Sequence, residues 1–532
     1  MERKNHILFV LLVIAAGTAW GQSAPTVTQQ PTNQTVYAGS NATFAVAVSG
    51  TGPFTYQWQH DGTNLPDNII YTVAGGGTAY PGDGGAATNA ELKSVVDVAV
   101  DTSGDFFVVD VLSNRIHKVS SLGIMSAAAG TGANGFTGDG KAATNADLSH
   151  PYGVAVDSAG NLFITDNGNS RIRKVGTNGM IQTVAGNGSA GYGGDGGAAT
   201  NASLDLIFSG YASRGVVLDA NGNLYIADTA NNRIREVGTN GVITTVAGKG
   251  GQSFSGDGGP ATNAYLASPT ALAMDGNGNL FIADTINRRI REIDTNGLIN
   301  TVAGGGTGDL GGAATNYDLL EPYGVAVDAG GNVFISYFTT PGGLDQSLAG
   351  FVDQVWTNGI ITKFAGRGTY TPINNYGDGG PATNASLGSL GGLAVNASDE
   401  LFISDTSDGV VREVVITGPA LTLNTLTTNN AGTYDVVVSS PYGSVTSAVA
   451  TVSVLAPVQN LSASWSAGPG VQLQFTGAPG YPYLLQVTTN LALPVSWQPL
   501  VTNVADSNGN WSFTDTNTNN PAQFYRALFT AP

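Results

Sequence analysis

The sequence predicts an all-β protein built around a six-bladed β-propeller with four-stranded blades. Two observations predict it. The first is a repeat running through residues 69–416. Its pieces GVAVD, NLFITD and RIRKV recur six times, beginning near Val98, Gly153, Gly215, Ala271, Gly324 and Gly392. The second is the phase of the fourth piece. It too occurs six times, as IIYTVAG, IMSAAAG, MIQTVAG, VITTVAG, LINTVAG and IITKFAG. Yet Ile69–Gly75 precedes any complete unit, and the last unit, ending near Val414, lacks a fourth piece.

Each unit holds four short β-type runs divided by Gly, Asn and Asp turns, the pattern of a four-stranded antiparallel sheet. Repeats of this length mean a propeller, a solenoid or a linear array. A solenoid needs capping repeats and gains nothing from a displaced strand. A ring has a seam. Pairing Ile69–Gly75 beside Val410–Val414 closes it and leaves no open sheet edge.

Residues 1–21 read as a secretory signal. Arg3 and Lys4 precede the apolar run Ile7–Ala16, and Ala19-Trp20-Gly21 has the small-x-small form of a cleavage site. The run is short for a membrane span and no second candidate follows it, so no span is expected after signal removal. The chain has no cysteine. An oxidising compartment is compatible with that and unused.

Residues 22–68 resemble the first half of an immunoglobulin-like sandwich, with Trp58 in the Y-Q-W-Q strand as its core tryptophan. Residues 417–456 supply the missing half. There Asn430-Ala431-Gly432-Thr433-Tyr434 resembles a tyrosine corner, with Val436 where a disulfide cysteine would sit. Neither half has enough strands alone, so the propeller, 69–416, is read as inserted into one discontinuous domain. Insertion requires guest ends that lie close together, and the seam provides this. Residues 457–532 alternate apolar and polar in VQLQF, YLLQVTTN and WSFTD, which predicts a C-terminal β-sandwich of fibronectin-III or similar type.

The repeat resembles the NHL family of β-propellers. The matching residues are G-V-A-V-D, N-L-F/Y-I-A/T-D, N-x-R-I-R-x-V and T-V-A-G, carried in full by the second to fourth units, for instance Gly222–Asp228 followed by Asn232-Arg233-Ile234-Arg235. The resemblance covers roughly two thirds of the chain. It implies the propeller fold and leaves function open, since such folds host binding, scaffolding and catalysis alike.

Charged residues make up 11% of the chain and the net charge is −18. Ordinary domains carry about 25% charged residues, so the surface is expected to be rich in Asn, Ser, Thr and Gly. Nucleic-acid binding calls for a basic stripe. The few arginines instead recur at one place per unit and pair with repeated aspartates, which argues against nucleic acid as a partner.

Three constellations could carry chemistry. The long loops between units share GDGGAATN-like motifs whose aspartates are Asp83, Asp139, Asp195, Asp257, Asp309 and Asp378, spaced by 56, 56, 62, 52 and 69 residues. A carboxylate ring could hold Ca²⁺. The stronger reading is a turn in which Asp accepts backbone N–H groups, so no cofactor is expected. Next come Asp110/Arg115, Asp166/Arg171, Asp228/Arg233 and Asp284/Arg289, read as braces across a turn. The fifth unit departs from this, with Ser336 for Asp, an insertion at Tyr337–Phe351, and Asp353-Gln354-Val355 for R-I-R. The sixth has Asp405 with Val410-Val411-Arg412, and both units are read as having lost the brace.

The third constellation is the residue entering each innermost strand: Val96, Tyr152, Arg214, Thr270, Tyr323 and Gly391, with His150 and Glu321 beside them. These are expected to ring the mouth of the central channel, where variation breaks the six-fold symmetry as a single ligand requires. Tyr152, Arg214, Tyr323, Glu321, His150 and Tyr337 are therefore the candidate ligand-binding residues. Catalytic sets are not evident. After signal removal only His60, His117 and His150 remain, too few in one place for the zinc site of NHL-type amidating lyases. No cysteine nucleophile exists, and no G-x-S-x-G elbow lies in a strand-to-helix setting. The expected function is a secreted, periplasmic or cell-surface, non-enzymatic binding or scaffold protein for a protein or extracellular polysaccharide. The competing reading is a lactonase-like hydrolase at the channel mouth.

Overall fold

The computed structural model describes residues 23–529 except 38–39, 52–53, 66–67, 209–210, 340–348, 371–376, 416–417, 424–425, 427–429, 441, 456–458, 466–469, 478–481, 492–494, 507 and 518–522. The signal segment and the tip of the insertion in the fifth unit lie outside the described residues. The chain divides into two compact units, one of Met1–Leu65 with Thr417–Pro532, the other of Pro66–Ile416. Among the described residues the regular structure is β-strand and short 3₁₀ turns, and no helix is long and apolar enough to cross a membrane.

The larger unit contains six antiparallel sheets of one plan. The second is representative. Its strands are β1 (Pro151–Val156), β2 (Leu162–Asp166), β3 (Arg171–Val175) and β4 (Met180–Ala185), paired in sequence order. β2 is buried at every position, as expected for a continuous apolar run covered on both faces. β3 is buried at Ile172, Arg173 and Val175, and β4 is the wettest. The equivalents of β1 in all six sheets pack side by side, the sixth beside the first, so they close a ring.

The sixth sheet draws its outer strand from the far end of the unit. Ile69–Gly75 pairs antiparallel with Val410–Val415, with Ile70 opposite Val414 and Gly75 opposite Val410. The pairing covers what would be an open edge. Ile70 and Ala74 are fully buried by it.

The linking motif has a physical reading in each part. The Ala-Thr-Asn piece forms a 3₁₀ turn whose alanine (Ala87, Ala143, Ala199, Ala261, Ala314 or Ala382) is almost fully buried. In the second linker, Ala143 N donates to Gly179 O at 2.8 Å while Ala143 O accepts from Gly130 N at 3.0 Å, tying one sheet to the next. The closing Gly of T-V-A-G stands at positive φ, +90° at Gly186, where a Cβ would land on the Ser170 carbonyl. Only glycine meets both demands.

In the other unit, Gly432–Ser440 pairs with Thr55–His60 on one side and with Ala450–Leu455 on the other. Ala450–Leu455 also pairs in parallel with Gln34–Tyr37. Ala42–Ala45 pairs with Ala420–Leu423. Strands from both ends of the chain thus share hydrogen-bonded ladders and one core, in which Phe44, Trp58, Tyr434, Val436 and Val452 are buried. Trp58 stands opposite Val436, and the Tyr434 hydroxyl donates to Asn430 O at 2.8 Å. Further along, Gln459–Trp465, Val471–Thr476 and Asn510–Asp515 form a three-stranded sheet. Pro482–Thr488, with Gln498–Val504 and Phe524–Phe529 on its two sides, forms a second. Phe475, stacked on Trp511 at 4.7 Å, sits in the core with Tyr483 and Leu485.

Deleting Asn68–Gly75 should expose the Val410–Val415 edge. The expected result is aggregation or loss of a single cooperative transition in thermal melts read by far-UV circular dichroism. Unchanged melting and solubility would contradict the closure.

Candidate functional site

The strand ends beneath the long loops are organised by a buried arginine, and it is not the one expected from the sequence. Asp166 is paired across the ladder with Arg171, yet its ion pair is with Arg173, Nη1 to Oδ2 at 3.2 Å. Arg173 is wholly buried and its Nη2 donates to Asp139 of the long loop at 2.8 Å. The same Asp–Arg–Asp arrangement joins Asp228, Arg235 and Asp195, and Asp284, Arg291 and Asp257. Arg171 instead donates to the Asn169 and Asn187 carbonyls. An arginine two residues along the strand reaches diagonally to the same carboxylate, and its planar fork serves both.

Two further expectations are corrected. The sixth sheet keeps its arginine: Arg412 aligns with Arg173 and donates to Asp378 at 2.5 Å. In the fifth sheet, the residue in the Asp166 position is Tyr337, opposite Pro322 as Asp166 is opposite Pro151, and not Ser336. Asp353 occupies the arginine position. The Tyr337 hydroxyl donates to Asp353 Oδ2 at 2.7 Å and lies 3.1 Å from the Tyr317 hydroxyl. Carboxylate and guanidinium have been exchanged for phenol and carboxylate. In the first sheet the arginine position holds buried His117, its Nδ1 3.7 Å from Asp83.

Burial dominates these carboxyls. It pushes Asp228 and Asp284 up to about 6, against the pull of hydrogen bonds and of Arg235 and Arg291. Burial pushes Asp353 up to about 6 as well, although the tyrosine hydroxyls pull it down. At Asp195, in the exposed loop, burial is outweighed by the Thr245, Tyr192 and Arg235 donors, and its carboxyl is held below the usual range. The loop aspartates Asp139, Asp195, Asp257 and Asp378 are thus engaged by arginine. Among the described residues no group of three His, Cys, Asp or Glu side chains is arranged to hold a metal ion.

The residues entering the first strands lie at one end of the ring. Arg214 reaches across it, its Nε donating to Val96 O at 3.0 Å. Its guanidinium lies 5.8 Å from the Tyr152 ring centroid and 5.6 Å from that of Tyr323. Tyr323 stacks on Phe338 at 4.6 Å. Three of the candidate residues are therefore brought together. His150, exposed at φ +46°, is held through its backbone N–H to Asn114. Glu321 is half-buried. Tyr337 is 4% exposed and engaged with Asp353, which takes its hydroxyl away from the surface.

One residue of this end was missed. The position after the entering residue is small in five units (Gly153, Gly215, Ala271, Gly324 and Gly392) and is Asp97 in the first. Aligning the repeats could have found it. Asp97 is 6% exposed, accepts from Val154 N at 2.9 Å, and lies against Gly392, where a side chain would strike its Oδ1. Burial raises its pKa to about 7, opposed by the Val154 N–H and by the Arg214 charge. Burial likewise lowers Arg214, and Asp97 opposes the shift. Among the described residues these two are the only ionisable ones lining the central cavity of about 200 Å³, whose walls are otherwise Val, Ala, Leu, Met and Gly from all six first strands. Ligand pockets usually run from about 300 to 1,000 Å³. The cavity lies below that range.

Two outcomes follow from the buried charges. Arg235→Met leaves Asp228 buried without its cation and should cost about 3–5 kcal/mol in urea unfolding, with partial recovery in Asp228→Asn/Arg235→Met. Asp353 has a folded pKa above that of an unfolded aspartate, about 3.9. The folded state therefore binds the proton more tightly, and this group adds stability as pH falls from about 7 towards 4. Asp353→Asn should be more stable than the parent at pH 8, by about 2–3 kcal/mol at most, and the gap should close by pH 4. A gap that is constant with pH would contradict the assignment.

Comparison with known proteins bears on the ring of sheets. The family model described as Teneurin NHL domain matches residues 131–193 and 250–310. Human Teneurin-1 is 30% identical over 241 residues, 41% of this chain and 9% of that protein. Mouse Teneurin-4 is 30% identical over 276 residues, 44% of this chain and 10% of that protein. The chain thus spans about a tenth of the length of these curated relatives. Among solved structures, an auxiliary nutrient binding protein from Bacteroides thetaiotaomicron aligns with 12% identity and a TM-score of 0.43, covering 73% of this chain and 96% of that one. The repeats and the family-model match together support an NHL-repeat family for this chain.

Proposed function

We propose that this protein is a non-enzymatic binding protein of the cell surface, periplasm or extracellular medium. In this reading Ile69–Val415 is a six-bladed propeller set into an immunoglobulin-like domain, followed by a C-terminal sandwich. The propeller recognises a protein or an extracellular glycan through the long-loop end. The carrying observation is the convergence of Tyr152, Arg214 and Tyr323 over a small central cavity. Aromatic and arginine side chains commonly anchor interfaces, and loops held by a rigid scaffold are where binding concentrates. Asp97 beneath Arg214 supplies a counter-charge that keeps the guanidinium in place. The shared ladders between residues 34–60 and 420–455 support the discontinuous immunoglobulin-like domain.

The test is a screen of protein and glycan arrays followed by one triple variant. Replacing Tyr152, Arg214 and Tyr323 together by Ala should cost at least ~2 kcal/mol of binding, the scale of an interface hot spot, with the melting transition retained. Full affinity in that variant would move the site off the mouth.

A further inference from the structure

A second set of exposed side chains stands on the same long-loop end, outside the mouth. Three residues before the loop aspartate, the first four linkers carry Tyr80, Phe136, Tyr192 and Phe254. These are 46%, 40%, 47% and 38% exposed. Each has a cation over one face: Lys93 at 4.2 Å, Arg171 at 3.9 Å, Arg233 at 3.8 Å and Arg289 at 3.7 Å from the centroid. Arg173, Arg235 and Arg291 lie at 4.8–5.0 Å from the last three rings. The Tyr192 hydroxyl is further fixed to Asp195 at 2.9 Å. One face of each ring is thus occupied and its orientation set, while a large part of the ring stays in water. The fifth linker has Gly306 at this position, and its sheet lacks the arginine.

We propose that these rings form a carbohydrate-binding row that takes a neutral polysaccharide, one sugar ring per aromatic face. The proposal rests on the long-loop reading only in using the same end of the sheets; the residues are different. An aromatic face presents a flat apolar surface, which suits the C–H face of a pyranose. The cation behind it holds the ring in place before binding, so little side-chain freedom is lost on contact. A protein partner would need a contiguous desolvated patch of about 800 Å². Here single rings are carried by separate linkers, with Gly-Asp-Gly turns between them. Asp139, Asp195 and Asp257 beside the rings keep 42%, 34% and 39% side-chain exposure. Their free lone pairs can accept sugar hydroxyls, and with a net charge of −18 they disfavour uronates, sulfated glycans and nucleic acids. One ring gives weak binding. A polymer spanning several converts later contacts into intramolecular ones, which multiplies affinity by about 10²–10⁴.

The experiment is affinity gel electrophoresis of the full chain in gels containing hydroxyethyl cellulose, laminarin, galactomannan or polygalacturonate. Retardation is expected in at least one of the three neutral gels and not in polygalacturonate. Phe136→Leu/Tyr192→Leu/Phe254→Leu keeps an apolar cover over each guanidinium but removes the flat face. It should weaken retardation at least about tenfold with the melting temperature preserved. If that variant fails to fold, the Trp counterparts at the same three positions decide: retained or stronger retardation supports the row, and lost retardation overturns it. Tyr152→Ala/Arg214→Ala/Tyr323→Ala should leave the retardation in place. Loss of retardation in Tyr152→Ala/Arg214→Ala/Tyr323→Ala with the Leu variant still retarded assigns the glycan to the mouth and overturns the row, as do absence of retardation in all three neutral gels, equal retardation of the Leu variant, or preference for polygalacturonate.

Discussion

The ring of sheets depends on a guanidinium removed from water and shared by two carboxylates. Arg173, Arg235 and Arg291 are wholly buried, and each binds one aspartate at the end of its own sheet's second strand and another in the long loop. Taking such charges out of water is expensive, and losing one partner is worse than replacing the pair by apolar groups. What the arrangement secures is position. Asp166 also accepts from Ser149 N and from Asn169, so one carboxylate fixes the start of the first strand, the turn after the second, and through Arg173 the long loop. In the absence of disulfides, this is how irregular backbone is held against regular strands.

Function, on this reading, sits where the repetition fails. Five first strands have Gly or Ala where the first sheet has Asp97, and the entering residue changes from Tyr to Arg to Thr around the ring. These positions are closely packed, Gly392 lying against Asp97 and Gly153 against the Arg214 carbonyl, so the differences are matched between neighbouring strands. They make one direction across the mouth unlike the others, which a single asymmetric ligand needs. The fifth sheet departs further: Tyr337 and Asp353 in the positions of Asp and Arg retain a buried polar contact without a guanidinium.

Much of this was legible in the residues. The alternation of four short runs and the displaced Ile69–Gly75 strand followed from period and count alone, and the buried place of Trp58 from the resemblance of its strand to that of an immunoglobulin-like domain. Register was harder. Asp166 and Arg171 are adjacent across the turn and look like partners, but a side chain's reach is diagonal as well as direct, and Arg173 is the residue whose face is buried. The same slip placed Ser336 where Tyr337 belongs. The exposed rings in the linkers recur three residues before the loop aspartate, and aligning the linkers would have found them. Only their cation neighbours give them meaning.

The seam has a consequence for biosynthesis. Gly75 is made some 335 residues before Val410, its partner. At about 5–20 residues per second the strand waits on the order of tens of seconds with its edge unclaimed. The alternation I-I-Y-T-V-A-G contains no charge to keep other strands away. Translation therefore delivers the clasp of the ring first and the eye that receives it last. Any factor that shields that segment on the ribosome bears on how many chains close correctly.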